Sequence, residues 1–462
     1  MQNSELTSQP ISFLLRRLAI PSSLGMIFNT LYNVVDTYYA GLLSTQALAA
    51  LSSSFFLFFV IVGLGYGGST ALTALIGNAL GRKHYFYARL IAQKGVVLVL
   101  FIGIIMGIFG YKSAPFMLRL IGVEELYLHL ALEYIQIILA GTVLFFANFA
   151  LNGILVATGD TKSYRNTLIF GFFANILLNP LMMYGWGFIP AMGIGGIAAS
   201  TVLIQGINAL YLLQKALHVE LISFASVKAF YPDRRIYKSL LTHGLAPGLN
   251  MLMMSFGSLI ALYFVTDYGY KAVAGYGIGF RVEQLMLLPA LGISSATLSL
   301  VSNNIGSGKI ERVREIIITS LKYGYAISGI GIIVLGSIGE WLIGNFDSDR
   351  AVIAFGTHYL LVMVFVFFGF VTHFVCVASL QGMKRPAMIF YIGAYRQLIA
   401  PTLIFFLITR ILELPFVWLW IGLGFIVYSS AAYILWHTFK VLKSYEEIFI
   451  FKPNASKINL EI

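Results

Sequence analysis

Twelve apolar stretches, separated by short polar or charged breaks, run along the chain. They cover residues 15–41, 47–79, 90–111, 126–156, 164–185 and 192–214, then 238–265, 272–305, 316–339, 351–380, 386–409 and 415–438. A helix needs about 20 apolar residues to cross the hydrocarbon core of a bilayer. Each stretch therefore predicts one membrane-spanning helix, and the whole pattern predicts an all-α polytopic membrane protein. The first stretch is not followed by a small-residue cleavage pattern, so the first helix is expected to stay in the membrane.

Composition strengthens that picture. Of 462 residues, 59% are apolar, 15% aromatic and only 11% charged. A soluble globular chain carries about 25% charged residues, so this one cannot cover a water-facing surface. Soluble enzymes, nucleic-acid-binding modules and disordered scaffolds are poor readings. The single cysteine, Cys376, lies in an apolar run, which excludes a disulfide framework and a CxxC centre.

The charges that remain are placed unevenly. With the amino terminus in the cytoplasm, 23 of the 30 Lys and Arg residues fall on the cytoplasmic side and 5 outside, while Arg281 and Arg396 stay inside predicted spans. That asymmetry follows the positive-inside rule and supports the helix count, because one missed helix would scramble the alternation. Both termini are expected in the cytoplasm. The net charge of +11 is thus an orientation signal, and no nucleic-acid partner is expected.

The two halves resemble each other. Pro21 recurs as Pro247, Gly65 as Gly292, Gly81-Arg82 as Gly308-Lys309, Gly159 and Lys162 as Gly382 and Arg385, and Pro180 as Pro401, at offsets drifting from 227 to 221. Six helices per repeat is an even number, so both repeats start on the same face and are related by a pseudo-two-fold axis along the membrane normal. Two six-helix bundles around a central cleft are expected. Residues 1–214 form the N-terminal lobe, 215–237 a cytoplasmic linker, 238–440 the C-terminal lobe and 441–462 a cytoplasmic tail.

Candidate chemistry lies in the few polar groups inside the spans. A charge there costs about 2.5–3.5 kcal/mol even on the lenient insertion scale, and Asp36 is the clearest case. Asn29, Asn33 and Asp36 follow i, i+4, i+7 and share one helix face, with Tyr32 beside them. Depth counting brings Asn175 and Asn179 of the fifth span, Tyr134 of the fourth and Thr201 of the sixth to the same outer-leaflet layer. The stripe reads either as interhelical hydrogen bonds or as a site for a coupling ion. Oxygen donors would suit Na⁺ at Asp36, Asn175 and Asn179; burial of the carboxylate would favour H⁺. The residues do not decide between the two.

In the second half, Arg281, Glu283, His373 and Arg396 are candidates for a polar network pairing the acid with one of the cations. Runs such as Phe55–Phe59 and Met251–Met254 are mostly lipid-facing or packing surface, although aromatic faces and methionines also suit a pocket for organic cations. The glycine pairs Gly63/Gly67 and Gly103/Gly107 predict close helix contacts. No P-loop, HExxH, GxSxG with a placed histidine, or Cys/His cluster occurs, so neither ATP-driven transport nor enzymatic hydrolysis has a candidate constellation, and no cofactor is expected.

Several segments together resemble the multidrug and toxic compound extrusion (MATE) family. They are Ile20-Pro21 with Asn33-Val34-Val35-Asp36-Thr37-Tyr38-Tyr39-Ala40-Gly41, Asn152-Gly153 through Gly159-Asp160-Thr161-Lys162, Asn175 through Asn179-Pro180, Gly193 through Thr201, Gly279-Phe280-Arg281-Val282-Glu283, and Leu288 through Gly292. The resemblance covers about residues 12–440. It implies a secondary antiporter of the inner membrane, exporting amphipathic, often cationic, organic compounds in exchange for H⁺ or Na⁺. It maps a cation-coupling site onto Asp36, Asn175 and Asn179, with Tyr134 and Thr201, and a substrate surface near Tyr32, Asn33 and Asn152. DinF-like members commonly carry an aspartate where this chain has Asn179, which leaves Asp36 as the sole carboxylate. NorM-like members carry a glutamate where this chain has Ser255, so the DinF-like branch is the closer match. A monomer is expected. The neighbouring reading is a flippase for a lipid-linked precursor, which requires Arg281 and Arg396 to face a cationic cleft.

Overall fold

The computed structural model describes residues 3–187, 189–223 and 231–451. Part of the expected linker and half of the expected tail, with Lys228, Lys452 and Lys457, lie outside the described residues. After a short helix at Asn3–Leu6, the spanning helices of the first half are α1 Ile11–Leu43, α2 Thr45–Gly81, α3 Tyr85–Leu120, α4 Glu125–Ala140 with Thr142–Ala157, α5 Lys162–Tyr184 and α6 Gly193–His218. Those of the second half are α7 Arg234–Val265, α8 Tyr270–Gly306, α9 Ile310–Gly344, α10 Arg350–Gly382, α11 from Ala387 to Ile411, and α12 Val417–Phe451.

Eleven of these helices are singly long and apolar enough to cross a membrane, and the bent pair of α4 makes the twelfth. The chain is a multi-pass membrane protein. The helices outrun their apolar windows: α3 extends to Leu120, past the predicted end at 111, and carries Lys112 and Arg119 with it. Backbone hydrogen bonding continues into the headgroup zone, where charged side chains are solvated, so hydropathy marks the hydrocarbon thickness and not the helix.

Two predicted helices are irregular. α4 bends by 47° at Gly141. α11 contains π-helical turns at Tyr395–Ile399 and Leu407–Ile411, and the first carries Arg396. Such turns widen the helix and are enriched at functional positions.

The structure divides into two compact units. One holds residues 24–248; the other holds 3–23 and residues from 249 on. The leading segments of α1 and α7 thus belong to the opposite half from the rest of their helices, and each changeover falls within two residues of Pro21 or Pro247. A proline removes one intrahelical donor and weakens the ladder.

Within the units, neighbours repeat with a shift of six. The pairs α2–α3, α2–α4, α4–α6 and α5–α6 of the first correspond to α8–α9, α8–α10, α10–α12 and α11–α12 of the second. The glycine expectation holds for α2. A Cβ on Gly67 would stand 2.4 Å from the Gly244 carbonyl oxygen of α7. In the other unit, a Cβ on Gly292 of α8 would stand 2.7 Å from the Ala19 carbonyl oxygen of α1 and closer still to Ser23.

Candidate ion-coupling site

The site begins with a defect in α5. Pro180 has no N–H, so the carbonyl of Ile176, four residues earlier, loses its helical partner. The Tyr39 hydroxyl of α1 donates to that carbonyl at 3.0 Å. This bond ties α1 to α5 one turn from Asp36. Tyr39→Phe is expected to lower thermal stability by about 1 kcal/mol, the net value of one such bond, read as a reduced melting temperature in detergent.

At this joint the side chains converge. Asp36 is 5% exposed, and Asn175 and Asn179 are fully buried. Both asparagines donate through Nδ2 to the same carboxylate oxygen, Asp36 Oδ1, at 2.8 Å and 2.9 Å. Their i, i+4 spacing places one amide above the other, and Asn179 Nδ2 also reaches Asn175 Oδ1 at 3.1 Å. The Ser200 hydroxyl of α6 donates to Asn179 Oδ1. Tyr32 donates to Thr201 Oγ1 at 2.9 Å, and the Thr201 hydroxyl in turn lies within reach of the carboxylate.

This arrangement fixes the chemistry available to Asp36. Its Oδ1 is held by two neutral donors, while Oδ2 is left to take a proton. Among the described residues no cation pairs with it. An ionised carboxylate at this depth has only neutral hydrogen bonds to offset its desolvation. The asparagine oxygens are already engaged, by Asn179 and Ser200. The donor set as arranged fits a proton better than a hard cation, which needs several converging oxygens.

The other expected residues fall into three groups. Tyr134 is 7% exposed and lies within electrostatic reach of Asp36 and Tyr32, without a hydrogen bond to the carboxylate. Asn33 bonds back to the Asn29 carbonyl of its own helix at 3.1 Å and stays outside the cluster. Asn152 is half-buried, with Oδ1 unpartnered. Ser200 was not among the expected residues; its position inside a Gly/Ala-rich helix start reads as packing. Glu133 accepts from the Gly195 N–H at 3.3 Å, at the start of α6, where a helix amino terminus favours a carboxylate.

In the second unit the expected four-residue network does not form. Glu283 is buried and accepts a hydrogen bond from Tyr359 of α10, whose ring meets Trp420 edge-on at 4.5 Å. Arg281 is exposed. His373 and Arg396 are buried, and among the described residues neither forms an ion pair with Glu283. A neutral tyrosine, not a cation, accompanies the acid.

Comparison with known proteins reproduces the division of the chain. The MatE family model matches residues 21–181 and again 248–406, one match per repeat. "Probable multidrug resistance protein YpnP" of Bacillus subtilis is 27% identical over 93% of this chain and 96% of its own length. An FAD transporter of Shewanella oneidensis is 25% identical over 78% and 79%. Among solved structures, a transporter of the MOP superfamily from Pyrococcus furiosus superposes with a TM-score of 0.89 at 22% identity, covering 96% of this chain and 99% of that one.

Proposed function

The chain belongs to the MATE family, and on that premise we propose that it exports amphipathic, often cationic, organic compounds in exchange for protons, with Asp36 as the coupling carboxylate. Relatives named as multidrug resistance and multidrug export proteins support the export reading. We place it in the DinF-like branch, as a monomer of the bacterial inner membrane with both termini cytoplasmic.

One observation carries the coupling. A buried, cation-free carboxylate holds α1 against α5 and α6 through neutral donors alone. Protonation of Oδ2 removes its charge and weakens both amide bonds, which are stronger to an ionised acceptor. The hold of α5 on α1 then loosens, and Tyr32 and Thr201, which are bonded to each other across α1 and α6, rearrange with it. Substrate and proton thus compete for one set of contacts, which is the requirement for exchange: each ligand shifts the equilibrium only by its differential affinity for the two states.

Uptake of a fluorescent organic cation into proteoliposomes separates the coupling ions. A proton gradient is expected to drive accumulation at zero sodium, and a sodium gradient at equal pH is expected to drive none. Accumulation that follows sodium alone would overturn proton coupling.

A further inference from the structure

Arg396 and His373 share a depth in the second unit. Arg396 lies nine residues after the start of α11 at Ala387, and His373 nine residues before the end of α10 at Gly382. Both positions are about 14 Å along their helices from those ends. Arg396 is 3% exposed and His373 1% exposed. The Arg396 guanidinium sits over the ring of Phe370, 5.7 Å from its centroid, and Phe370 precedes His373 by three residues on α10. The guanidinium thus lies against α10 one turn from His373, within electrostatic reach of its ring.

Their hydrogen bonding is unspent. Among the described residues, Arg396 Nε and Nη2 have no partner, nor does either ring nitrogen of His373. A ring beneath a guanidinium attracts its face but leaves the in-plane N–H donors unsatisfied. The guanidinium keeps its charge under all ordinary conditions, so this position holds a permanent cation without an acid. Among the described residues, the one acid buried in the same unit, Glu283, is engaged with Tyr359. Nearby, the Asn250 amide of α7 lies against Gly393, one turn before Arg396, and its Oδ1 is also unpartnered: a Cβ on Gly393 would stand 2.3 Å from that oxygen. Arg396 is the buried residue of the π-helical turn at Tyr395–Ile399.

We propose that Arg396 and His373 form an oxyanion-binding site in the second unit, taking the carboxylate or phosphate of an amphipathic molecule. Two in-plane guanidinium donors match the two oxygens of such a group. A neutral imidazole adds a third donor through whichever nitrogen carries its proton. The phenylalanine ring restricts the guanidinium to one plane and so orients the fork. The proposal rests on the exporter reading only in calling the ligand a transported compound. Its substrates then include zwitterions and anions as well as cations.

Equilibrium dialysis of the full chain in zwitterionic-lipid nanodiscs tests this, with empty nanodiscs subtracted. The probes are 4-methylumbelliferyl phosphate, 7-hydroxycoumarin-4-acetate and neutral 4-methylumbelliferone. Both anions are expected to bind at least ~10-fold more tightly than the neutral probe. Arg396→Gln is expected to erase that preference, and Arg396→Lys to keep part of it as a point charge without the fork. Equal binding of anions and neutral probe by the unaltered protein would overturn the proposal, as would unchanged anion preference in a folded Arg396→Gln. If that variant fails to fold, the unaltered protein's preference and His373→Gln decide. Adding phosphatidylglycerol to the discs separates the sources: competition assigns the site to a lipid headgroup, and no competition assigns it to a soluble compound. Dialysis involves no transport, so its failure leaves the antiport reading intact, and failure of antiport leaves this result standing.

Discussion

Asp36→Asn is expected to reduce gradient-driven export to the background of vesicles without the protein, while expression and folding persist. Asparagine keeps Oδ1, which accepts both Asn175 and Asn179. It replaces only Oδ2, the oxygen available to a proton. The substitution also removes a buried charge that has no cation partner, so stability should change by no more than about 1–2 kcal/mol. The variant is locked neutral, with a donor in the place of Oδ2 as in the protonated site, and cannot exchange one pattern for the other. Drug resistance in cells should match the empty-vector control, and a thermal melt near that of the unaltered protein should show that folding is not the cause.

Gly67→Val and Gly292→Val are expected to be the most damaging packing changes. At Gly67 the added carbon meets only backbone atoms: the Gly244 oxygen at 2.4 Å, the Gly248 Cα at 3.1 Å and the Gly244 carbonyl carbon at 3.2 Å. Gly292 is confined by Ala19 and Ser23 in the same way, and the Ala19 oxygen at 2.7 Å is backbone that cannot rotate aside. Overpacking costs 1–3 kcal/mol where side chains can yield, so about 3 kcal/mol or more is expected where they cannot. Membrane helices are held mainly by such close contacts, with little hydrophobic drive between them. Both sites grip the leading segment of a helix, α7 at Gly67 and α1 at Gly292. Loss of monodisperse protein on size-exclusion chromatography, with Gly→Ala milder at each site, is the expected reading.

Much of this was legible because a bilayer simplifies the code. Apolar length located all twelve spans, and the alternation of basic loops gave each an expected entry side. That allowed depth to be counted, and depth counting placed Asp36, Asn175, Asn179 and Thr201 together before any contact was known. Helix-face spacing also grouped Asn29 and Asn33 with Asp36, but Asn29 lies about 10 Å along the axis, and Asn33 bonds back to the Asn29 carbonyl of its own helix. Gly67 announced a close contact by its spacing from Gly63, yet its partner Gly244 comes from the other half of the chain, which no local pattern specifies. The bend at Gly141 and the π-turn at Arg396 depend on neighbouring helices and leave no mark on hydropathy. The expected pairing of Glu283 with a cation failed because burial requires a hydrogen-bond partner, not an opposite charge, and Tyr359 meets that need.

Asp36 exchanging a proton against substrate is the central step, and proton release measured directly tests it. Purified protein in weakly buffered detergent, at a pH where the site is protonated, is mixed with saturating substrate and the pH change is recorded. About one proton per bound substrate is expected, as competition for a single carboxylate requires, and none from Asp36→Asn. Equal release from the two proteins, or substrate binding by the unaltered protein with no proton released, would contradict it.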